Sequence, residues 1–225
     1  DGYTVELGDQ KVDVRPWPFV TPGEKPEFTY DPHVWTDVKQ ADVQVFNIGA
    51  ALEKTQSDNP AAADSIKAAV EKYEAQLTLL DQWVRDSISS VPEENRVLFT
   101  SHDAFGYFAN AYDVKFIGAA LSDFNHQQDA TAEHINKAAE EVKASGAKAL
   151  FAENSNNSKS IEAIARAAGV KAITNDDALY GDSLGPAGSP GETYIGSIIH
   201  NVTTLVTAWD GTPAPLPPEI SNNAK

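Results

Sequence analysis

Apolar positions recur every three or four residues over two consecutive stretches in the first half of the chain. In the first stretch, from about Thr36 to Thr55, this spacing predicts a helix. The second stretch begins at Asn59-Pro60, where a capping residue precedes a proline suited to a first helical turn, and it predicts a helix over about 60–89. Such a helix would be roughly 45 Å long. It could connect two lobes, although an ordinary core helix has the same spacing.

The second half of the chain alternates between short apolar runs and amphipathic segments. The apolar runs predict strands at 96–100, 114–119, 149–152 and 170–174, and the amphipathic segments predict helices at 104–112, 130–145, 159–168 and 193–209. Gly146 and Gly169 stand where two of these helices should end. This alternation predicts an α/β fold with a parallel sheet of roughly four strands, flanked by helices.

The two ends of the chain have different patterns. Tyr3, Val5 and Leu7 alternate with polar residues, as in a half-buried strand, and the prolines at 16, 18, 22, 26 and 32 exclude a long helix. The tail from Gly211 is rich in proline and asparagine, and we expect it to be loosely ordered.

Composition excludes several classes of function. The formal charge is −16, which disfavours nucleic-acid partners because phosphate backbones would be repelled. No apolar run approaches the ~18 residues that span a bilayer, so direct membrane insertion by this segment is not expected. Cysteine is absent, so a metal site here would use imidazole, carboxylate, carbonyl or water.

Three short islands carry side chains that can bind metal. They lie at 31–35, 101–105 and 181–185, and they contain His33, His102 and Asp182. His102 follows the first predicted strand of the sheet by two residues, and Asp182 lies in the loop after the last one. In parallel sheets, ligands bind beyond the carboxyl ends of the strands, so these two side chains should share an edge. Each of the three residues could instead have a purely structural role without binding a metal.

The remaining histidines are less promising. His134 and His200 lie inside predicted helices and His126 lies in a polar loop, so we expect surface or capping roles for all three.

Together the islands resemble motifs of the solute-binding receptors of manganese- and zinc-importing ABC transporters, the metal-binding adhesin-lipoprotein family. Asp-Pro-His-Val-Trp at 31–35 resembles the second ligand motif of that family, and Thr-Ser-His-Asp-Ala-Phe-Gly-Tyr-Phe at 100–108 resembles the third. Phe-Ala-Glu-Asn at 151–154 resembles a strand end of the family, and Asp-Ser-Leu-Gly at 182–185 resembles the fourth ligand loop. The resemblance runs from about Asp31 to Trp209.

The resemblance implies a division of the chain and a function. Residues 1–56 would be a remnant of an amino-terminal α/β lobe, 57–92 a long connecting helix, and 93–225 the carboxy-terminal metal-binding lobe. The protein would be an extracytoplasmic receptor, in the periplasm or at the cell surface and lipid-anchored at full length. It would deliver a divalent metal to an ABC permease without catalysis. It would be mostly monomeric, or paired with a missing amino-terminal part.

The resemblance also implies a ligand set. His33, His102 and Asp182 would bind the metal, and Glu153 would orient a ligand imidazole without binding the metal itself. The first ligand histidine of the family has no counterpart among the 30 residues before Asp31. Histidine at 102, where manganese receptors often have glutamate, favours Zn²⁺ slightly over Mn²⁺. The alternatives are a metal-dependent hydrolase and a surface adhesin with a structural metal.

Overall fold

The computed structural model describes residues 10–17, 19, 29–121 and 131–222. The strand predicted around Tyr3 to Leu7 and the loop containing His126 lie outside these residues. The described helices are α1 (Val38–Thr55), α2 (Pro60–Ser89), α3 (Gly106–Ala111), α4 (Ala132–Ser145), α5 (Lys159–Ala168), α6 (Tyr194–Ala208) and α7 (Pro218–Ser221). The strands are β1 (Val97–His102), β2 (Lys115–Leu121), β3 (Ala149–Phe151) and β4 (Lys171–Ile173). None of the described helices has both the length and the apolar character needed to cross a membrane.

The helix ends follow the capping signals in the sequence. Asn59 accepts a hydrogen bond from the backbone N–H of Ala62 at the start of α2, with Pro60 in the first turn. At the ends of α4 and α5, Gly146 and Gly169 have φ values of 74° and 76°. Glycine adopts this left-handed conformation without steric cost, so both helices stop where the sequence predicts.

The four strands form one parallel sheet in the order β2-β1-β3-β4. This confirms the predicted α/β class with a four-stranded parallel sheet. The boundary of β1 differs from the prediction, because the strand continues to His102, which pairs with Leu121 of β2. His102 is therefore the last residue of a buried strand and does not lie in the loop after it.

Helices cover both faces of the sheet. Leu98 and Phe151 point toward the face covered by α2, α3 and α6, while their neighbours Phe99 and Leu150 point toward α4 and α5. All four side chains are essentially fully buried. The sheet is thus buried between two layers of helices, and its carboxyl edge carries the residues after β1 and β3.

The long helix α2 spans the 30 residues from Pro60 to Ser89. Its buried positions concentrate in the second half, where Leu80 and Val84 enter the core. Its first half packs mainly against α1, and Gly49 of α1 permits a close approach to Val70 of α2. The helix therefore joins α1 to the sheet-containing part of the chain.

The tail is more ordered than predicted. The carbonyl oxygen of Ala214 accepts a hydrogen bond from the indole N–H of Trp83, and the backbone N–H of Ala214 donates to Ser87. Ile220 of α7 is completely buried in the core. The prolines suppress long secondary structure here, but an extended segment can still pack onto α2.

Replacement of Ile220 by alanine should measure the contribution of the tail. We expect Ile220→Ala to lower the free energy of unfolding by about 2–5 kcal/mol, because it removes a buried side chain and leaves a cavity. The matched control is Ile48→Ala on α1, where the isoleucine is 59% exposed, with an expected change of about 0.5 kcal/mol or less. Urea denaturation measures both. Equal effects of the two substitutions would contradict the docked tail.

Candidate metal centre

His33 is held in a tight turn before α1. Its backbone N–H donates to Asp31 Oδ1 at 2.9 Å, and its carbonyl oxygen accepts from the hydroxyl of Thr36 at 2.9 Å. The hydroxyl of Tyr107, on α3, donates to the carbonyl oxygen of Asp31 at 2.8 Å. These contacts attach the turn to the sheet-containing part of the chain, and the His33 side chain is 1% exposed.

His102 reaches the same place from the carboxyl edge of the sheet. Its backbone N–H donates to Glu153 Oε1 at 3.1 Å, and Ser101 Oγ accepts from the backbone N–H of Glu153 at 2.8 Å. Glu153 follows β3 and forms an isolated bridge with Leu179. The predicted role of Glu153 was to orient an imidazole, but the contact observed here is with the backbone of His102. That contact ties the ends of β1 and β3 together.

Asp182 lies on a loop that is anchored through the two residues before it. The backbone of Tyr180 exchanges two hydrogen bonds of 2.8 Å with the side chain of Asn201 on α6. The carbonyl oxygen of Gly181 accepts from the indole N–H of Trp35 at 2.9 Å. A Cβ at position 181 would lie only 2.3 Å from Glu153 Oε2, so a larger residue there would displace the Glu153 carboxylate. The Asp182 carboxylate is therefore presented by a constrained backbone.

The structure brings the three predicted ligands together. His33 Nε2 lies 3.1 Å from Asp182 Oδ1, and His102 Nε2 lies 3.4 Å from Asp182 Oδ2. One ligand atom from each of the three residues lies within 4.8 Å of the other two. Two imidazole nitrogens and a carboxylate oxygen are a donor set suited to Zn²⁺, and a set that Mn²⁺ also accepts with additional oxygens.

Two carboxylates that the sequence reasoning missed lie behind the histidines. Asp31 Oδ1 is 2.5 Å from His33 Nδ1, and Asp103 Oδ1 is 3.2 Å from His102 Nδ1. Each acid lies one or two residues from a candidate ligand histidine, and this spacing was the available signal in the sequence. Both carboxylates are almost completely buried.

The electrostatics of His33 differ from those of His102. Burial lowers the pKa of His33, but hydrogen bonds to Asp182 and Asp31 outweigh burial and raise it to about 9. Burial lowers the pKa of His102. Burial raises the pKa of Asp182, but the hydrogen bond and charge of His33 outweigh it and lower that pKa overall. In the absence of metal at neutral pH, His33 is therefore the protonated one of the two candidate ligand histidines.

The surrounding acids respond mainly to burial. Burial raises the pKa of Asp103 to about 7 and holds the pKa of Glu153 well above its usual range. Among the described residues, Glu153 Oε2 has no hydrogen-bond partner. A cation would relieve this concentration of buried acidic groups.

The other described histidines are outside the group. His134 is exposed, and its Nε2 lies 3.1 Å from the carbonyl oxygen of Ala120. His200 is half-buried, and its Nε2 lies 3.0 Å from the carbonyl oxygen of Ala178. The exposure of His134 agrees with the predicted surface role, whereas half-buried His200 lies in the middle of α6 and contacts the backbone carbonyl of Ala178.

Comparison with known proteins places the chain in a family. The model of the family described as zinc-uptake complex component A periplasmic matches residues 4–208. The chain is 34% identical over 182 residues to the manganese-binding lipoprotein MntA of Bacillus subtilis (strain 168), covering 80% of this chain and 58% of that protein. It is 33% identical over 184 residues to the zinc-binding protein TroA of Treponema pallidum (strain Nichols), covering 81% and 58%. The chain thus spans little more than half the length of these relatives.

Solved structures show the same fold. The periplasmic zinc-binding protein TroA from Treponema pallidum superposes with a TM-score of 0.69 and 32% identity, covering 83% of this chain and 66% of that one. A second TroA structure, from a study of metal-binding specificity, gives a TM-score of 0.71 with 28% identity, covering 88% and 69%.

The pH dependence of metal binding should follow the protonation of the His33 imidazole. Because its pKa is about 9 without metal, a proton competes with the ion at any pH below that value. Metal affinity should therefore rise with pH, by up to about tenfold per unit between pH 7 and 9, and then level off. Calorimetry at pH 8 in buffers of different ionisation enthalpy should detect about one proton released per Zn²⁺ ion.

The control for this measurement is His33→Gln, in which that proton is absent. Its residual binding should lose most of the pH dependence between pH 7 and 9. Zn²⁺ binding by the unmodified chain without proton release at pH 8 would contradict the assigned protonation of His33.

Proposed function

Because the chain belongs to the zinc-uptake complex component A periplasmic family, we propose that it captures a divalent transition-metal ion and delivers it to an ABC permease. The observation that carries this proposal is the convergence of His33, His102 and Asp182, whose ligand atoms lie within 4.8 Å of one another. Capture needs ligands that hold the ion and release it unchanged. The proposed activity is accordingly transport without catalysis.

In this proposal the metal binds through Nε2 of both histidines and a carboxylate oxygen of Asp182. The two Nε2 atoms already flank opposite oxygens of Asp182 at 3.1 and 3.4 Å, so an ion would take the place of these direct contacts. Three protein ligands leave at least one coordination position for water or a further ligand. Replacement of the His33 proton by the ion makes release sensitive to pH.

The proposed cargo is Zn²⁺, slightly preferred over Mn²⁺. Nitrogen and oxygen sites bind Zn²⁺ more tightly than Mn²⁺ by intrinsic affinity, and a second imidazole makes the donor set softer. The two curated relatives described above are named for manganese and for zinc, so the family name alone does not select the metal. The preference for zinc rests on His102.

The proposed setting is extracytoplasmic. The family description includes the word periplasmic, and the manganese-binding relative is named a lipoprotein. The proposed organisation assigns 1–56 to one lobe, 57–92 to the connecting helix and 93–225 to the other lobe. In support, His33 precedes α1, whereas His102 and Asp182 belong to the sheet-containing part, so the ion would bridge the two parts.

Substitution of each ligand tests the assignment. We expect His33→Ala, His102→Ala and Asp182→Ala each to weaken Zn²⁺ binding by more than about 100-fold, since loss of a direct ligand should exceed the 10–100-fold effect of outer-shell changes. The control is His134→Ala, which removes an exposed imidazole outside the site and should leave affinity within about threefold. Calorimetry on the 225-residue chain gives the dissociation constants. Unchanged binding in His102→Ala would refute the site.

The metal preference depends on position 102 and is separately testable. The unmodified chain should bind Zn²⁺ more tightly than Mn²⁺ in direct competition. His102→Glu should reduce the ratio of the two affinities by about tenfold or more, because a carboxylate is a harder ligand that suits Mn²⁺. A ratio that is the same in both proteins would show that selectivity is set elsewhere.

A further inference from the structure

Each candidate ligand histidine lies between two carboxylates. Nε2 of both rings faces Asp182, and Nδ1 of each ring faces a different acid. Asp31 lies 2.5 Å from Nδ1 of His33, and Asp103 lies 3.2 Å from Nδ1 of His102. The two histidines come from separate segments of the chain, yet they have the same arrangement.

We propose that Asp31 and Asp103 are positioning residues that hold His33 and His102 with Nε2 directed toward the metal position, and that Asp31 is the stronger of the two. This inference rests on the proposed metal-binding function. A neutral imidazole carries one proton, and an acceptor beside Nδ1 keeps that proton there. The lone pair is then on Nε2, and the negative charge behind the ring makes that nitrogen a better donor to a cation.

The stronger role of Asp31 follows from how it is held. Its Oδ1 accepts hydrogen bonds from both the ring and the backbone N–H of His33. Its own backbone is fixed at both ends, because its N–H donates to the carbonyl oxygen of Arg15 at 2.9 Å and its carbonyl accepts from Tyr107. The carboxylate thus makes two contacts with His33 while two further contacts hold the backbone that carries it, and together they fix the orientation of the His33 ring.

Asp103 has a longer contact and a less favourable environment. Its side chain is 1% exposed, and within the described part of the chain neither carboxylate oxygen has a hydrogen-bond partner, so the 3.2 Å approach of Oδ1 to His102 Nδ1 is a charge contact without hydrogen-bond geometry. Burial of a carboxylate with an unsatisfied oxygen is costly to folding. A buried carboxylate that destabilises the fold is better explained by a role beside the candidate ligand His102 than by a role in stability.

The substitutions must separate the effect of the carboxylate charge from the effect of the hydrogen bonds that Asp31 makes within the turn. Asp31→Asn keeps an oxygen that can accept from the ring and backbone N–H groups, but it removes the negative charge. Asp31→Ala removes both, and Asp103→Asn tests the second acid. The matched control is Asp37→Asn, which makes the same change in net charge a few residues away and preserves the capping hydrogen bond at the start of α1.

Zn²⁺ binding is the first readout. We expect dissociation constants to rise about tenfold for Asp31→Asn and about 100-fold for Asp31→Ala, the range typical of outer-shell partners of metal-bound histidines. Asp103→Asn should give a smaller rise than Asp31→Asn. Asp37→Asn should stay within about threefold of the unmodified chain.

The second readout is the ring N–H signal of each histidine in ¹H–¹⁵N spectra, recorded with and without Zn²⁺. The Nδ1 proton of His33 should appear far downfield and exchange slowly with water. It should move upfield and exchange faster in Asp31→Asn, even when the melting temperature of the metal-free protein is unchanged. A purely structural role for Asp31 would not produce this change.

The two readouts keep this inference distinct from the proposed function. If the unmodified chain bound neither Zn²⁺ nor Mn²⁺, the proposed function would fail, and the metal-free spectra would still report whether Asp31 holds the ring proton at Nδ1. If the chain bound Zn²⁺ but Asp31→Asn and Asp103→Asn matched Asp37→Asn in affinity and left the ring signals in place, the positioning role would be overturned.

Discussion

The site depends on the attachment of one short turn to the rest of the molecule. Trp35 makes this attachment with its side chain and its backbone. Its indole N–H donates to the carbonyl oxygen of Gly181, and its own carbonyl oxygen accepts from the hydroxyl of Tyr194 at 2.7 Å. The first contact links the turn to the Asp182 loop directly. His33 lies two residues earlier, so the hydrogen bonds that fix Trp35 also set the distance between His33 and Asp182. Loss of this attachment would separate candidate ligands that are far apart in sequence.

The attached site concentrates negative charge inside the protein. Asp31, Asp103 and Glu153 are almost completely buried, and Asp182 is mostly buried. Without metal, protons partly compensate, since the pKa of His33 is raised to about 9 and that of Asp103 to about 7. A bound divalent ion would offset the buried negative charge directly, in place of these protons. This exchange gives the physical reason why metal binding should depend on pH.

Much of the fold could be predicted because its signals are local. The start of α2 at Pro60 and the ends of α4 and α5 before Gly146 and Gly169 depend on neighbouring residues, and the prediction was confirmed at each. The ordered packing of the tail on α2 could not be predicted from neighbouring residues. Whether Ile220 is buried depends on the surface of α2, more than 130 positions earlier in the chain.

In the candidate site, too, some features could be predicted from the sequence and others depend on the tertiary fold. His33, His102 and Asp182 could be selected from motifs, but their convergence requires the turn to dock on the sheet edge. The boundary of β1 was wrong by two residues because its pairing with β2 extends the strand to His102. Asp31 and Asp103 were missed as partners of the rings, since sequence adjacency does not specify which nitrogen a carboxylate faces. The backbone contact of Glu153 with His102 joins two strands and has no sequence signal of its own.

X-ray absorption spectroscopy of the Zn²⁺-loaded chain tests the central claim most directly, since it reports the atoms that bind the ion. The account predicts two imidazole nitrogens at about 2.0–2.1 Å together with oxygen ligands, and one imidazole fewer when either His33 or His102 is replaced by alanine. A Zn²⁺ spectrum without imidazole scattering, or one that neither replacement alters, would contradict the assignment of these histidines as metal ligands.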